Sequence, residues 1–266
     1  MLKPKKSLGQ NFLIDNNILK KISKLKKINE NNIIEIGPGT GNLTNEILKL
    51  NPKKLILIEK DSKLYSQLSE NFKQNKKVKI INKDILEIDL ENLVKKDTII
   101  FGNLPFNIST KIFTNLLKFN VWPPKYKFLV LMFQKEVAEK IIANFKDKNY
   151  GRLRIISNLR LQVLEYFHVS RNCFFPKPSV DSTVIVFKPK LNPKFKILDI
   201  KNLEKITNLF FSSRRKMINK VIRKIFGKIN IEKKLGLDLT LRPSEISEEK
   251  YYQITEVYEK KFYNDN

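Results

Sequence analysis

Three glycines near residue 37 form the first candidate ligand site. Residues 33–36 have the apolar, β-branched pattern of a buried strand, and they lead through Gly37-Pro38-Gly39-Thr40-Gly41 into a helical pattern. Glycine lets the backbone approach a ligand closely at the carboxyl end of a strand. The Gly-x-Gly-x-Gly spacing differs from the Gly-x-Gly-x-x-Gly that seats a pyrophosphate, so it indicates a nucleotide-containing cofactor without requiring a pyrophosphate. A plain glycine turn is the alternative.

Two acids stand where the next predicted strands end. Glu59 follows the second strand, where a carboxylate can accept hydrogen bonds from both hydroxyls of a ribose. Asp84 has the matching place after the third strand and could accept from an adenine amino group. Each acid alone could equally be a solvated cap. Together with the glycines they form a trench suited to S-adenosyl-L-methionine, which presents a ribose, an adenine and a non-phosphate tail.

The segment Gly102-Asn103-Leu104-Pro105-Phe106 stands at the end of the fourth predicted strand. Its residue types suit the methylation of an exocyclic amine. The lone pair of such an amine is delocalised into the ring. The amide oxygen of Asn103 and a backbone carbonyl could accept its hydrogens and draw it toward tetrahedral geometry. Proline shapes that backbone, and Phe106 offers a stacking face for a base taken out of its stack. A plain Asn-x-Pro turn beside a core phenylalanine is the alternative.

A second aromatic residue stands on a proline-bearing segment, Phe174-Phe175-Pro176-Lys177-Pro178. Phe175 could close a sandwich with Phe106 around a flipped base. Taken alone, a phenylalanine next to two prolines is more often a packing residue. The prolines are expected to exclude residues 174–178 from both helix and strand.

The pattern of residues 30–133 predicts the elements that position these groups. Short β-branched runs alternate with amphipathic stretches, as they do in successive β-α-β units. Near-continuous apolar strands are buried on both faces, so we predict an α/β fold with a helix-covered parallel sheet. The predicted strands are residues 33–36, 54–58, 78–81, 98–101 and 127–133. The predicted helices are residues 42–50, 62–72, 110–119 and 136–145.

Later residues predict the end of the sheet and a second domain. A helix is expected over 151–159 and strands over 162–169 and 182–187, so the sheet should end in an antiparallel pair. Amphipathic helices follow from about residue 198, one of them from Pro243 toward Tyr258. We therefore predict one domain over 1–190 and a small all-helical domain over 191–266. Residues 1–16 are expected to form an arm outside the core.

Composition excludes several kinds of chemistry. With one cysteine, Cys173, and one histidine, His168, the chain has no disulfide framework, no Cys/His zinc site and no facial metal triad. We expect no metal, and we interpret His168 as a structural residue of its strand. The N-terminus lacks the apolar stretch of a signal peptide, and the apolar run 128–133 is too short to cross a bilayer. A cytoplasmic protein without a membrane partner is expected.

The charge of the chain predicts an anionic partner. Lys and Arg number 52 against 27 Asp and Glu, a net charge of +25. The 44 Lys against 8 Arg are also what an AT-rich genome would produce, so composition alone does not establish nucleic-acid binding. The grouping of the scarce arginines is harder to ascribe to codon usage. Basic residues concentrate in 1–27 and 190–234, which suits a phosphate backbone.

Five ordered motifs together resemble the ribosomal RNA adenine dimethyltransferases, most closely the members that act on the small subunit. The motifs are Lys6-Ser7-Leu8-Gly9-Gln10-Asn11-Phe12-Leu13, the glycine loop, Asn103-Leu104-Pro105-Phe106, Tyr150-Gly151-Arg152-Leu153 and the Phe-x-Pro-x-Pro-x-Val-x-Ser block at 174–182. The segment containing Arg214, Arg215 and Lys216 is similar to that family's small C-terminal domain. The resemblance covers essentially the whole chain.

The resemblance implies a class I, Rossmann-like methyltransferase with a small helical C-terminal RNA-binding domain. It would use S-adenosyl-L-methionine to dimethylate two adjacent adenosines near the 3′ end of 16S rRNA in the assembling small subunit. A monomer is expected because nothing in the sequence suggests an obligate interface. The residues implied to contact the cofactor are Asn11, Leu13, Gly37, Gly39, Glu59, Asp84 and Asn103. Asn103 would also face the target amine, Phe106 and Phe175 would hold the base, and Arg214, Arg215 and Lys216 would bind RNA. Phe106 departs from the family, which commonly has tyrosine there.

Three other functions remain open from the sequence. An Erm-type enzyme acting on large-subunit rRNA shares the Asn-Phe-Leu arm and the aromatic segment, but Leu8-Gly9 and the Tyr150–Leu153 motif favour the small-subunit enzyme. A non-catalytic ribosome assembly factor could use the fold to bind RNA, although Asn103, Glu59 and Asp84 are intact. The glycine spacing disfavours a dinucleotide oxidoreductase.

Overall fold

The computed structural model describes residues 4–5, 9–227 and 229–263. Lys6, Ser7 and Leu8 of the N-terminal motif therefore lie outside the described residues. The strands are β1 (Phe12–Leu13), β2 (Asn32–Ile36), β3 (Lys54–Glu59), β4 (Val78–Asn82), β5 (Thr98–Asn103), β6 (Tyr126–Gln134), β7 (Leu161–Val169), β8 (Phe174–Phe175) and β9 (Ser182–Pro189). The helices are α1 (Asn16–Ser23), α2 (Asn42–Lys49), α3 (Ser62–Asn71), α4 (Leu90–Leu93), α5 (Ser109–Leu117), α6 (Lys135–Ile142), α7 (Arg152–Arg160), α8 (Ile200–Phe211), α9 (Asn219–Phe226), α10 (Ile231–Leu235) and α11 (Glu248–Tyr263).

A seven-stranded sheet in the order β4-β3-β2-β5-β6-β9-β7 carries the predicted parallel pairs. The pairs of β2 with β3, β2 with β5, β3 with β4 and β5 with β6 are parallel, and β9 runs antiparallel to β6. The central strands are buried on both faces, which is why they read as continuous apolar runs. The α/β fold with a largely parallel sheet and a helical C-terminal part is confirmed.

The chain divides into two compact units. The first contains the described residues up to Ala138 together with Gln162–Pro189, and the second contains Glu139–Leu161 and the described residues from Lys190 onward. The predicted boundary near residue 190 coincides with one of the points at which the chain passes from the first unit to the second. The functional division into a methyltransferase domain and an RNA-binding domain stays a prediction.

In the first unit, the helices α1 and α2 cover one face of the sheet. Leu19, Ile22 and Ile47 join Leu55 and Phe101 in one buried cluster. His168 lies in β7 with Nδ1 at 2.9 Å from Thr183 Oγ1, a strand-to-strand contact that agrees with its structural interpretation.

The second unit is held by buried hydrogen bonds as well as apolar packing. The Tyr150 hydroxyl donates to the carbonyl of Ile246 at 3.0 Å, and Arg154 pairs with Glu248 at 3.1 Å. Glu259, which is 2% exposed, accepts from the backbone N–H groups of Leu198 and Asp199. Glu259 thus satisfies backbone donors at the start of α8, where the first helical N–H groups lack partners within the helix.

Three sequence expectations are wrong in detail. Residues 1–16 do not all lie outside the core, because Leu13 is 5% exposed and packs in the core cluster. Phe174 and Phe175 do form a short strand, since both prolines follow the two residues that pair with Leu13 and Phe12. Pro243 begins only a short 3₁₀ turn, and the helix itself starts at Glu248 and continues past Tyr258.

No helix in the described ranges is both long and apolar enough to cross a membrane.

Candidate functional site

A cavity opens at the carboxyl ends of the central parallel strands, within the first unit. It gathers residues that are far apart in the chain and come from the arm, the glycine loop and the ends of β3 and β5. Eight of the sequence-predicted residues line it: Asn11, Leu13, Gly37, Gly39, Glu59, Asp84, Asn103 and Phe106. The assignment of individual roles to these residues stays a prediction.

The glycine loop lies in direct contact with the N-terminal segment. Gly39 has a φ of +59°, and a Cβ atom there would lie 2.8 Å from Cδ1 of the Phe12 ring. Any other residue would be strained and would push against that ring. Because Gly39 has no side chain, the Phe12 ring of the arm can pack directly against the backbone of the loop.

Glu59 is a buried carboxylate held by two backbone donors. Its Oε2 accepts from the N–H of Gly39 at 3.2 Å, and its Oε1 accepts from the N–H of Asp61 at 2.8 Å. Burial raises the pKa of Glu59 above its ordinary value, and these hydrogen bonds oppose the rise. Each oxygen keeps a second lone pair, so the group can still accept from the hydroxyls of a ribose.

Asp84 stands at the rim of the same cavity, after β4. Its Oδ2 accepts from Lys60 Nζ at 2.7 Å, and its Oδ1 accepts from the N–H of Leu86 at 2.9 Å. Burial alone would raise the pKa of Asp84, but the hydrogen bonds from Lys60 and Leu86 outweigh it and the pKa lies below its ordinary value. Asp84 is therefore an ionised acceptor near neutral pH.

Asn103 ends β5 with its amide fixed by the arm. Its Nδ2 donates to the backbone carbonyl of Asn11 at 3.0 Å. Within the described part of the chain, its Oδ1 accepts no hydrogen bond. Because the donor half is held in place, the acceptor half is the part of the side chain that a ligand amine can use.

Of the two aromatic residues predicted to hold the base, one lines the cavity and the other does not. Phe106 lines the cavity, whereas Phe175 is 57% exposed and is not among the described residues that line it. Phe175 lies in β8, where it pairs with Phe12 of β1. The predicted sandwich of Phe106 and Phe175 stays a prediction.

Glu35 is a cavity residue that the sequence analysis missed. It is 2% exposed, and its Oε2 accepts from the Thr44 hydroxyl at 2.7 Å. Burial raises the pKa of Glu35 to about 7, against the Thr44 hydrogen bond, and the nearby charge of Glu59 raises it further. The signal was present in the sequence, because one acid interrupts the otherwise apolar run of residues 33–36.

The predicted RNA-binding residues lie in the second unit, in the turn between α8 and α9. Arg215 and Lys216 are exposed. Arg214 is exposed as well, but it also donates from its guanidinium to the backbone carbonyls of Lys148, at 2.8 Å, and Tyr150, at 3.1 Å. Arg214 therefore has a structural role in addition to any contact with RNA.

Among the described residues, no group of three or more His, Cys, Asp and Glu side chains is placed to hold a metal ion.

Comparison with known proteins gives consistent similarities over nearly the whole chain. The model of the family described as "Ribosomal RNA adenine dimethylase" matches residues 1–260. A protein of Pelagibacter ubique named "Ribosomal RNA small subunit methyltransferase A" is 46% identical over 263 residues, covering 97% of this chain and 98% of that protein.

Two solved structures are similar in fold. A dimethyladenosine transferase from Plasmodium falciparum has a TM-score of 0.77 and 27% identity, and the match covers 94% of this chain and 98% of that one. The 23S rRNA methyltransferase ErmE has a TM-score of 0.67 and 21% identity, with coverage of 92% and 98%. The second similarity concerns the fold alone.

We predict that Gly39→Ala loosens the arm. The new Cβ would displace the Phe12 ring, so amide exchange in residues 12–13 should be faster than in the wild type, as measured by hydrogen–deuterium exchange mass spectrometry. Gly236→Ala is the matched control, because Gly236 has a similar φ of +57° with no atom within 4 Å. Both variants should lose about 1–2 kcal/mol of stability from backbone strain. Equal exchange in both would contradict the prediction.

We predict that Glu35→Gln flattens the pH dependence of stability. The folded pKa of about 7 lies above the ordinary glutamate value of 4.5, so the folded state retains a proton that the unfolded chain releases. The free energy of unfolding should therefore fall as pH rises from about 4.5 to about 7. Urea unfolding at several pH values should show less of this fall in Glu35→Gln than in the exposed control Glu136→Gln. Identical slopes would count against a raised pKa.

Proposed function

The chain belongs to the ribosomal RNA adenine dimethylase family, and from that premise we propose a specific substrate for it. Family membership makes it an S-adenosyl-L-methionine-dependent rRNA adenine dimethyltransferase. Its substrate is 16S rRNA within the assembling small ribosomal subunit, in the cytoplasm. It dimethylates the N6 amines of two adjacent adenosines near the 3′ end, and it acts as a monomer. The similarity to the Pelagibacter protein over nearly the full length of both chains supports the small-subunit substrate.

The cavity residues fit the cofactor. Gly37 and Gly39 leave room for its methionine part, the Glu59 carboxylate accepts from the ribose hydroxyls, and Asp84 accepts from the adenine amine. Asn11 and Leu13 close the cavity from the arm side. S-adenosyl-L-methionine supplies a methyl group on a positively charged sulfonium. Glu35 and Glu59 lie in the wall of the cavity that receives it, where a nearby cation would favour the ionised form of each side chain.

Asn103 carries the catalytic part of the proposal. The Asn11 carbonyl holds Nδ2 at 3.0 Å, which presets the side-chain amide with Oδ1 as its acceptor. Oδ1 and a backbone carbonyl of the Asn103–Phe106 segment accept hydrogen bonds from the two N–H groups of the target amine. This concentrates its lone pair for attack, and no metal takes part. Catalysis therefore depends on positioning. An amide that is already held in its working orientation need not rearrange when the substrate binds.

Phe106 supplies the stacking face for the flipped adenine. Phe106 has no hydroxyl, so stacking and not hydrogen bonding defines its role. Phe175 is the second aromatic, and its exposure leaves its ring accessible to a base that enters from solvent. Arg215 and Lys216 of the second unit contact the phosphate backbone.

Methyl transfer to defined substrates tests the proposal. The wild-type chain, supplied with labelled S-adenosyl-L-methionine, should produce dimethyladenosine on small subunits that lack the modification. It should produce none on mature small subunits or on large-subunit RNA, as read by mass spectrometry of the nucleosides. Label in the large-subunit RNA would indicate the Erm-type function. Cofactor binding without transfer to any substrate would indicate a non-catalytic assembly factor.

In the same assay, Asn103→Ala should lower the rate of transfer by roughly 10²- to 10³-fold, because the acceptor for the target amine is lost. Affinity for the small subunit, measured by filter binding, should stay within about twofold of the wild type. Equal loss of transfer and of binding would mean that Asn103 is structural.

A double variant, Arg215→Ala with Lys216→Ala, should weaken RNA binding and reduce the slope of log affinity against log salt by about 1–2, since up to two phosphate contacts are lost. Lys233→Ala with Lys234→Ala removes the same charge from α10 and serves as the control. Arg214 is left intact because its guanidinium holds two backbone carbonyls. An unchanged slope in the first variant would exclude this turn as an RNA contact.

A further inference from the structure

We propose that Asp61 is a positioning residue for the cofactor, which acts by holding the N-terminal segment Gln10–Leu13 over the cavity. Asp61 is not among the described residues that line the cavity, whereas Gln10 and the residues up to Leu13 are. Its effect on the cofactor therefore passes through the arm. The inference rests on the proposed assignment of this cavity to S-adenosyl-L-methionine.

Two arm side chains converge on the Asp61 carboxylate. Lys5 Nζ lies 3.0 Å from both carboxylate oxygens, and Gln10 Nε2 donates to Oδ2 at 3.0 Å. The Asp61 side chain is 4% exposed, so these contacts form largely out of solvent. Hydrogen bonds to a charged and mostly buried acceptor are stronger than those between neutral groups.

Lys5 and Gln10 are also joined to each other. The backbone N–H of Lys5 donates to Gln10 Oε1 at 2.7 Å, so the amide of Gln10 bridges the arm backbone and Asp61. Both halves of the Gln10 amide are thereby committed. This arrangement fixes the position of Gln10, which lines the cavity together with Asn11 and Leu13.

Asp61 also links the arm to the ribose-binding acid. Its own N–H donates to Glu59 Oε1 at 2.8 Å, while its Oδ1 accepts from the N–H of Lys63 and caps α3. Burial would raise the pKa of Asp61, but the hydrogen bonds from Lys5, Gln10 and Lys63 outweigh it and keep the carboxyl ionised. One residue thus orients Glu59 through its backbone and the arm through its side chain.

The other end of the arm is anchored independently. Leu13 is buried in the core, its carbonyl accepts from Asn42 Nδ2 at 2.8 Å, and β1 pairs with β8. Between the two anchors, the Asn11 carbonyl meets the Asn103 amide. Loss of the Asp61 anchor should therefore free residues 9–11 without unfolding the chain, and the wall that they form should close less often over a ligand.

Asp61→Asn tests the inference with little risk to folding. Asparagine is a good N-cap and can still accept from Lys63, but its NH₂ group would face the donor of Gln10 and its charge is gone. A second variant, Lys5→Ala with Gln10→Ala, removes the arm donors and leaves Asp61 in place. Asp89→Asn is the matched control, because it makes the same change at the N-cap of α4, where the side chain bonds Asn92.

Both arm-anchor variants should raise the Kd for S-adenosylhomocysteine about tenfold in isothermal titration, a change of about 1.4 kcal/mol. Combining them should add little, since both remove the same contacts. Amide exchange in residues 9–13 should become faster in each. The KM for S-adenosyl-L-methionine should rise while kcat at saturating cofactor stays within about twofold, because bound cofactor holds the arm closed again and restores the Asn11–Asn103 contact. A general loss of structure would lower kcat as well.

Three results would overturn the inference. Unchanged Kd values in both variants would show that the arm anchor does not affect the cofactor. The Kd could also rise in Asp61→Asn but stay unchanged in the double variant Lys5→Ala with Gln10→Ala. That result would show that Asp61 acts through Glu59 or α3. Failure of the wild-type chain to bind S-adenosylhomocysteine would remove the cofactor assignment of the cavity, and the wild-type titration alone would reveal this.

Discussion

The in-register parallel pairing of β2 with its neighbours β3 and β5 is the constraint on which the site depends. Ile36 pairs with Ile58 on one side and with Gly102 on the other. Three strand ends therefore stop at the same level, and the residues that follow them emerge at one edge. The glycine loop, Glu59 and Asn103 share a cavity because their strands end in step. The apolar interiors of these strands, buried under helices, fix that register.

The arm completes what the sheet begins. Leu13 contributes to the hydrophobic core, while Phe12 packs on the glycine loop and the Asn11 carbonyl holds the Asn103 amide. One segment thus forms a wall of the cavity and also fixes the amide of Asn103, the group that we propose faces the target amine. If the cavity holds the cofactor as proposed, its binding and the orientation of the Asn103 amide depend on the same few arm residues. Such coupling is an economical way to keep a methyl-transfer site in order, because the reaction depends on placement.

The acids of the site are stabilised in two different ways. Glu35 and Glu59 are deeply buried and rely on hydroxyl or backbone donors, so burial dominates and their pKa values are raised. Asp61 and Asp84 each pair with a lysine, and their pKa values are lowered. The unpaired acids lie where a cationic cofactor can complement them. The paired acids remain ionised and act as fixed acceptors. Asp61 accepts from the arm, and we propose that Asp84 accepts from the adenine.

The sequence by itself determined the α/β fold and eight residues that line one cavity, because strand patterning and the residues just after each strand are local signals. Tertiary structure decided which of these residues touch one another. The Asn11–Asn103 bond spans 92 positions and the Lys5–Asp61 bond spans 56, and no local pattern marks such partners. Leu13 in the core and Phe175 in a strand likewise depended on pairing between β1 and β8. Side-chain hydrogen bonds across such separations follow from how the elements pack, and only the folded chain brings those atoms within reach.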